Sequence, residues 1–288
     1  MTRVESVLAR SGNLVFPGVF DTLSAKLAER AGFELAFVSG YAVSATSIGE
    51  PDVGLLTQSE IVDRARRICR SVDIPIIVDA DTGYGNALNV ARTVRELIDA
   101  GAAGCFLEDQ QWPKRCGHMR GKKIVPRGEY LSKIRAAVET KAGADFFLVA
   151  RTDAIAAAGL DEAVARAEAA REAGADATFI EAPRSLEELA EVGRRAPKPT
   201  VANMIEQGRT PVQSREELAA LGFGLILYPL TGLYSAARAL EAAYARLRAQ
   251  GDSTGHEDQL IAFERFNELI GLDRTHAFAE RYSDEADS

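Results

Sequence analysis

The sequence has little of several residue types and patterns, and each scarcity excludes a class of protein. Only three cysteines occur in 288 residues, so no disulfide framework is indicated and a reducing compartment is expected. No apolar run approaches the roughly 18 residues of a membrane-spanning helix. The first residues, MTRVESVLARSGN, lack the continuous apolar region of a secretion signal. We therefore expect a cytoplasmic protein with no membrane partner.

Positive charge is also scarce. Lys and Arg number 34 against 42 Asp and Glu, and the formal net charge is -8. This balance argues against nucleic acid as a partner, because phosphate binding needs a basic surface. The hydrophobic share of 47% and the charged share of 26% are those of an ordinary globular protein that can bury a large core.

Two cofactor motifs are incomplete. The pair Cys116 and His118 falls short of the roughly four ligands of a structural zinc site. The segment DTGYG resembles the start of a dinucleotide-binding fingerprint, but Leu88 stands where the third glycine should be. Neither zinc nor a dinucleotide is therefore expected.

One pattern recurs from Leu14 onward: a short apolar run ends in polar residues and is followed by a helical stretch rich in Ala, Glu and Arg. The runs are LVFPGVF, FELAFVSG, IPIIVDAD, CFLED, FFLVARTD, ATFIEAP, PTVAN and GLILYP. Their near-continuous apolarity is typical of parallel strands covered on both faces. Eight such units predict a (β/α)8 TIM barrel of the α/β class, with a doubly wound sheet as the alternative. We assign the barrel to residues 1–250, and a helical extension with an acidic tail, part of the same domain, to residues 251–288.

Polar side chains crowd the ends of these runs, where barrel enzymes keep their chemistry. They are Ser39, Asp79, Asp81, Glu108, Asp109, Arg151, Asp153, Glu181 and Asn203. Carboxylates that follow separate strands can converge on one mouth, where their oxygens suit a hard cation. The alternative is that some of these residues only cap the next helix.

The loop that follows the fourth run, within residues 104–126, has a reactive composition. Four functional side chains lie within five residues: Lys114, Arg115, Cys116 and His118. Positive charge stabilises a thiolate, so a lowered thiol pKa is expected for Cys116. Gly117 and Gly121 allow the loop to move. The alternative, an incidental cysteine, is less consistent with this polar setting because inert cysteines favour apolar surroundings.

The C-terminal segment LIAFERFNELIGL carries an apolar stripe. Its members are Leu260, Phe263, Phe266 and Ile270. A terminal helix with this much apolar surface is expected to pack against another subunit.

These segments together resemble the isocitrate lyase/phosphoenolpyruvate mutase superfamily, and the resemblance spans nearly the whole chain. The motifs that carry it are VDADTGYGN, LEDQQWPKRCGHMRGK, FLVARTDA, FIEAP and NMIEQGRTP. KRCGH is similar to the cysteine loop of the carbon-carbon lyases in this superfamily. The resemblance implies a barrel with Mg²⁺, or Mn²⁺, at its mouth and a gating loop that carries an acidic thiol. It also implies homotetramers, as dimers of dimers in which a C-terminal helix is swapped between subunits.

The resemblance further implies a role for each site residue. Asp81 is the expected direct ligand of Mg²⁺, and Asp52, Asp79 and Glu108 are expected to hold metal-bound waters. Cys116 is the expected general acid, and Arg151 is expected to bind a substrate carboxylate. The remaining pocket residues are Ser39, Gly40 and Tyr41, whose turn offers backbone donors, together with Lys114, Arg115, Gly117, His118, Glu181 and Asn203. No sequence signal identifies the base that takes the hydroxyl proton, and Tyr41 is the candidate we name.

The implied activity is cleavage of a 2-hydroxy dicarboxylate such as a 2-alkylmalate, or hydrolysis of oxaloacetate. A 2-methylisocitrate lyase, which also has KRCGH, is one alternative. Others are a phosphoenolpyruvate mutase or phosphonopyruvate hydrolase, where Cys116 has no obvious use, and a non-catalytic binder of small acids. Methylisocitrate would bring a third carboxylate that needs a partner, whereas Trp112 and Pro113 favour a smaller or more apolar substituent.

Overall fold

Eight parallel strands close into the barrel that the sequence predicts, and each of the eight apolar runs coincides with one of them, the fourth strand beginning at Gly104, one residue before its run. The strands are β1 (Leu14–Val19), β2 (Ala36–Val38), β3 (Ile76–Asp79), β4 (Gly104–Glu108), β5 (Phe147–Thr152), β6 (Ala177–Ile180), β7 (Thr200–Asn203) and β8 (Leu225–Tyr228). Each strand pairs with the next along the chain, and β1 closes the barrel by pairing with β8. The computed structural model describes residues 1–117, 119 and 121–283.

Helices precede, connect and follow the strands. They are α1 (Arg3–Ser11), α2 (Thr22–Arg30), α3 (Gly40–Ser47), α4 (Gln58–Cys69), α5 (Ala87–Asp99), α6 (Arg127–Thr140), α7 (Ala154–Ala158), α8 (Leu160–Glu172), α9 (Leu186–Arg195), α10 (Arg215–Ala220), α11 (Thr231–Gln250), α12 (Phe263–Ile270) and α13 (Leu272–Ser283). Helix α4 shows why the sequence folds this way. Thr57 and Glu60 form a capping box at its start, and Ile61, Ala65 and Ile68 are buried at three- and four-residue spacing.

The barrel interior is filled by large apolar side chains and forms the floor of the pocket described below. Phe37 and Phe106 have ring centroids 4.6 Å apart, and Phe106 and Phe179 have centroids 5.6 Å apart. All three rings are buried and line that pocket. Burial of one such side chain contributes about 1.5–3 kcal/mol. The floor is therefore apolar, and the polar groups of the site lie above it.

Contacts between Cα atoms divide the chain into two units, Met1–Leu233 and a second unit that begins at Tyr234. Within the second unit, the predicted apolar stripe is largely uncovered: Leu260 is 54% exposed, Phe263 78% and Ile270 45%. Helix swapping between subunits and the predicted division after residue 250 stay predictions. Among the described residues, no helix combines the length and apolarity that a membrane span requires.

Candidate active site

Four carboxylates lie buried at the C-terminal end of the barrel. Asp79 ends β3, Asp81 follows it, Glu108 ends β4, and Asp52 comes from the segment after α3. Asp81 has a φ of 47°, a left-handed conformation that costs a non-glycine residue on the order of 1–3 kcal/mol. Its backbone N–H donates to Asp79 Oδ1 at 3.3 Å. The turn after β3 thus holds Asp79 and Asp81 together at the mouth of the barrel.

Lys114 neutralises part of this cluster. Its side chain is 3% exposed, and Nζ lies 2.5 Å from Asp52 Oδ1 and 2.7 Å from Asp81 Oδ1. Burial raises the pKa of Asp81, Lys114 lowers it, and the neighbouring carboxylates raise it again, with the result that the pKa stands at about 7. Burial alone would lower the pKa of Lys114, but the carboxylates, Asp81 first, hold it well above its usual range. We expected Lys114 to contact substrate, and here its ammonium contacts two of the proposed metal residues.

The cluster fits a hard divalent cation that retains water ligands. In the part of the chain that the structure describes, no three His, Cys, Asp or Glu side chains are arranged to enclose an ion directly. Glu108 Oε1 is buried and has no hydrogen-bond partner among those residues, and burial raises the pKa of Glu108 well above its ordinary value. Mg²⁺ usually binds through one or two carboxylates and keeps several waters. Asp81 as ligand, with the other three carboxylates holding waters, matches that preference.

Arg151, near the end of β5, is held by two carboxylates and a ring. Its Nε lies 3.2 Å from Glu108 Oε2 and 2.9 Å from Asp153 Oδ2. The guanidinium carbon lies 5.3 Å from the centroid of the Phe179 ring. These contacts fix the guanidinium plane beside the carboxylate cluster, where it can meet a substrate carboxylate with two donors.

The loop that carries Cys116 is closed at its base. An isolated antiparallel bridge joins Gln110 to Ile124, Gln111 N–H donates to the Lys123 carbonyl at 2.8 Å, and Val125 N–H donates to the Asp109 carbonyl at 2.8 Å. These contacts define the excursion from residue 111 to residue 123, which we call the cysteine loop.

The cysteine loop lies against the barrel mouth on two sides. The Cys116 N–H donates to the Asp52 carbonyl at 3.2 Å. A Cβ at Gly117 would lie 2.2 Å from Glu181 Oε1, so only glycine permits this close approach to the residue after β6. The loop therefore brings its thiol to the pocket.

One pocket unites most of the residues that the sequence singled out. Its predicted members are Ser39, Tyr41, Asp52, Asp79, Cys116, Gly117, Arg151, Glu181 and Asn203. Asn203 Nδ2 donates to Glu181 Oε2 at 3.2 Å, which orients both side chains. With the loop in this position the free space is about 40 Å³, enough for a few water molecules. Five of the nine strand-end residues thus line one pocket, whereas Asp81, Glu108, Asp109 and Asp153 are not in its lining.

Ser39 and Gly40 have local partners in this structure. The hydroxyl of Ser39 accepts from the Ala42 N–H at 3.3 Å and caps α3, and the Gly40 N–H donates to Asp79 Oδ2 at 3.3 Å. The alternative that a strand-end residue caps the next helix thus applies to Ser39.

Arg115 and Trp112 of the loop lie apart from the pocket. The Arg115 side chain is exposed and borders a separate groove, and His118 lies outside the described residues. Trp112 packs beside the Tyr84 ring, 5.8 Å between centroids, and also lies outside the pocket. Neither Trp112 nor Pro113 lines the pocket in this structure, and our expectation that they limit the size of the substrate stays a prediction.

Sequence reasoning missed a buried polar network behind Arg151. Asp109 Oδ2 accepts from Thr152 Oγ1 at 2.6 Å and from Arg166 Nη1 at 3.0 Å, and Asp109 Oδ1 accepts from the Asp153 N–H at 2.8 Å. Lys122 also joins Asp153. The strand-end positions of Asp109 and Asp153 were a usable signal, whereas Lys122 had none because it lies in irregular chain.

Comparison of the chain with known sequences places this geometry in a family. A family model described as phosphoenolpyruvate phosphomutase matches residues 5–248. Chloroplastic carboxyvinyl-carboxyphosphonate phosphorylmutase of Arabidopsis thaliana is 49% identical, with 98% of this chain and 84% of that protein covered. Petal death protein of Dianthus caryophyllus is also 49% identical, covering 98% of this chain and 89% of that protein. 2,3-Dimethylmalate lyase of Eubacterium barkeri is 43% identical, covering 98% and 97%.

Solved structures of this superfamily have a similar fold and a related sequence. Oxaloacetate acetylhydrolase in complex with the inhibitor 3,3-difluorooxalacetate superposes with a TM-score of 0.91 and 38% identity, covering 96% of this chain and 95% of that one. Phosphonopyruvate hydrolase in complex with oxalate and Mg²⁺ superposes with a TM-score of 0.87 and 33% identity, covering 98% and 99%. The chain therefore belongs to the phosphoenolpyruvate phosphomutase family, and it is an enzyme of the isocitrate lyase/phosphoenolpyruvate mutase superfamily that its motifs resemble.

Proposed function

We propose that this protein is a Mg²⁺-dependent carbon-carbon lyase that cleaves a 2-hydroxy dicarboxylate, with Cys116 as the proton donor. The observation that carries the proposal is the shared pocket: the Cys116 thiol and the Arg151 guanidinium line the same cavity as Asp52 and Asp79. A thiol beside a cation and a cluster of carboxylates supplies a proton, a carboxylate anchor and a place for a hard cation. These are the three functions that retro-aldol cleavage of such an acid requires.

Two features of the pocket suit the two carboxylates of the substrate. Arg151 offers one of them a planar pair of donors. Ser39 and Tyr41, at the start of α3, line the same cavity, and the N-terminus of a helix attracts anions. Bound Mg²⁺, held through Asp81, would polarise the oxygen on C2 and stabilise negative charge there.

The proposed reaction moves one proton at each end of the breaking bond. A base removes the proton of the hydroxyl group on C2. Tyr41 is the candidate for this base in the pocket. The electron pair of that O–H bond forms the C2 carbonyl, and the electrons of the C2–C3 bond move to C3 and its carboxylate as an enolate. Cys116 Sγ then donates its proton to C3, which leaves a 2-oxo acid and a carboxylic acid. With oxaloacetate, the hydrated carbonyl supplies the hydroxyl, and the products are oxalate and acetate.

The walls of the pocket support a substrate with two carboxylates and an alkyl group. Ile205, Leu227 and Leu230 form an apolar side, and among the described residues Arg151 is the only cationic side chain in the lining. A third carboxylate, as in 2-methylisocitrate, would be costly to bury without a partner. The names of two relatives, 2,3-dimethylmalate lyase and oxaloacetate acetylhydrolase, are consistent with this choice.

Phosphorus-carbon chemistry is the second candidate, because two of the relatives are named for it. Transfer of a phosphoryl group needs positioning and charge stabilisation but no proton for a carbanion. The thiol at the pocket therefore favours the lyase.

Steady-state kinetics on four compounds test the proposal. We expect a higher kcat/KM for a 2-alkylmalate or for oxaloacetate than for 2-methylisocitrate, and negligible conversion of phosphonopyruvate. A preference for 2-methylisocitrate of about tenfold or more would overturn the choice of substrate and leave the lyase mechanism standing. Efficient conversion of phosphonopyruvate would overturn the lyase itself.

We also propose that the enzyme is a cytoplasmic homotetramer. The uncovered apolar side chains of the second unit, Phe263 above all, support an assembly through the C-terminal helices.

A further inference from the structure

Lys122 belongs to the cysteine loop, and its side chain is completely buried. The Nζ atom lies 2.5 Å from Asp153 Oδ1 and donates to the Gly117 carbonyl, also at 2.5 Å. Lysine is almost never fully buried unless it is paired. The next residue, Lys123, is exposed. Of these two adjacent lysines, Lys122 therefore ties the tip of the loop, next to Cys116, to the barrel.

The carboxylate that Lys122 contacts also holds Arg151. Arg151 Nε donates to Asp153 Oδ2 at 2.9 Å, and Arg151 Nη2 donates to Asp153 Oδ1 at 3.2 Å. Lys122 and Arg151 thus share one oxygen, and the lysine is closer to it by 0.7 Å. The backbone N–H of Asp153 is bonded to Asp109, which anchors the main chain that carries this carboxylate.

The positive charges of Arg151 and Lys122 both stabilise the ionised carboxylate of Asp153. Burial would raise the pKa of Asp153, but Arg151 and Lys122 outweigh burial and hold it below its ordinary value. If Lys122 left, Asp153 would have Arg151 as its nearest cation, and the second donor of the guanidinium would be drawn fully onto Oδ1. Arg151 would then have less capacity to meet a substrate carboxylate.

We propose that Lys122 is a positioning residue that couples the closed state of the cysteine loop to the orientation of Arg151, through the carboxylate of Asp153. The proposal rests on the proposed function in one respect, the binding of a substrate carboxylate by Arg151. It assigns Lys122 no contact with substrate. Loss of its charge should loosen the loop around Cys116 and weaken the binding of small dicarboxylates together.

The test compares Lys122→Met with Lys123→Met, which removes the same charge from the exposed neighbour. One readout is the rate of alkylation of Cys116 by iodoacetamide, assigned by peptide mass spectrometry. Cys105, buried in β4, serves as an internal reporter of global unfolding. The other readout is the dissociation constant of oxalate in the presence of Mg²⁺, measured by calorimetry.

For Lys122→Met we expect alkylation of Cys116 about tenfold faster and oxalate binding about tenfold weaker, the scale of one lost charge-assisted hydrogen bond. Cys105 should stay unreactive, and Lys123→Met should match the parent protein. If Lys122→Met also exposes Cys105, Lys122→Gln, which retains a donor without the charge, is expected to give the same two changes in a folded protein.

Unchanged alkylation of Cys116 and unchanged oxalate affinity in a folded Lys122 variant would overturn the coupling. A change in one readout without the other would also overturn it, because the proposal requires both. Neither readout depends on turnover. A parent enzyme that cleaves no malate would therefore contradict the proposed function. The coupling would still be decided by the alkylation rate and the oxalate affinity.

Discussion

The ammonium of Lys114 lies 2.7 Å from Asp81 Oδ1, so a side chain of the cysteine loop neutralises the carboxylate that we propose as the metal ligand. Two cations cannot both contact the same carboxylate oxygen without strong repulsion. A metal ion that binds Asp81 through Oδ1 would therefore displace Lys114. The free energy of the Lys114 ion pair is then subtracted from the binding energy of the metal.

Replacement of Lys114 should consequently strengthen metal binding in the absence of substrate. We expect Lys114→Met to bind Mn²⁺ or Mg²⁺ about tenfold more tightly than the parent protein, since a competing cation has been removed. Isothermal titration calorimetry measures this, with Lys123→Met as the control of equal charge change. Equal or weaker metal binding by Lys114→Met would show that the lysine and the metal do not compete.

The same variant should be less stable without metal. Removal of one partner from a buried ion pair costs about 3–5 kcal/mol because the other charge is left unpaired. We expect the unfolding free energy of Lys114→Met to fall by about this amount in EDTA and to recover with Mg²⁺. Urea denaturation in both buffers decides the point. Equal losses in the two buffers would mean that the lysine serves packing alone.

Metal removal should abolish turnover. The substrate oxygen needs a Lewis acid, and the described pocket lining offers Arg151 as its only cationic side chain. We expect exhaustive chelation to stop product formation and Mg²⁺ to restore it. We also expect Asp81→Asn to weaken Mg²⁺ binding by at least about tenfold, the lower end of the range for metal-site substitutions. Activity that survives chelation would remove the metal from the mechanism.

Substitution of the thiol should slow the reaction and spare binding. For Cys116→Ser we expect kcat to fall by roughly 10²-fold or more, because the hydroxyl is a much weaker acid and the loss of a general acid has this scale. The oxalate dissociation constant should stay close to that of the parent. Cys69→Ser, at the half-buried end of α4, is the matched control. Normal turnover by Cys116→Ser would rule out the role.

The apolar stripe of the second unit predicts an assembly. Phe263 is 78% exposed in the single chain, so a charge there has no intramolecular packing to disturb. We expect Phe263→Glu to yield smaller particles than the parent in multi-angle light scattering, and the neighbouring Glu264→Gln to leave the particle mass unchanged. A chain that ends before Gly251 should behave like Phe263→Glu. Full-sized assemblies from both variants would assign the stripe another purpose.

The barrel was predictable because strands buried on both faces must be almost continuously apolar, a pattern that few other structures require. Each of the eight runs coincides with one strand, although most strands are shorter than their runs by one to five residues. The boundaries depend on hydrogen bonding across the sheet, which a single run does not encode. The apolar spacing likewise predicted α12, but it could not state what covers Phe263.

The strand ends of the site were predictable for the same reason. The C-terminal ends of parallel strands lie at the same face of a barrel. Asp79, Glu108 and Arg151 were therefore expected at that face once the barrel was inferred. The cysteine loop was not predictable in this way because irregular chain has no period. Sequence order cannot distinguish Lys114, buried on Asp81, from Arg115, exposed beside it.

The base of the cysteine loop has a consequence for how this fold acquires new substrates. Because Gln110 and Ile124 are bridged and Val125 is bonded to Asp109, backbone contacts outside the excursion hold its two ends together. We expect residues 111–123 to be exchangeable as a single segment with preserved stability where the donor segment keeps lysines at the positions of Lys114 and Lys122, which pair with barrel carboxylates. Such a graft would change the proton donor and its surroundings in one step while the eight strands keep their sequence.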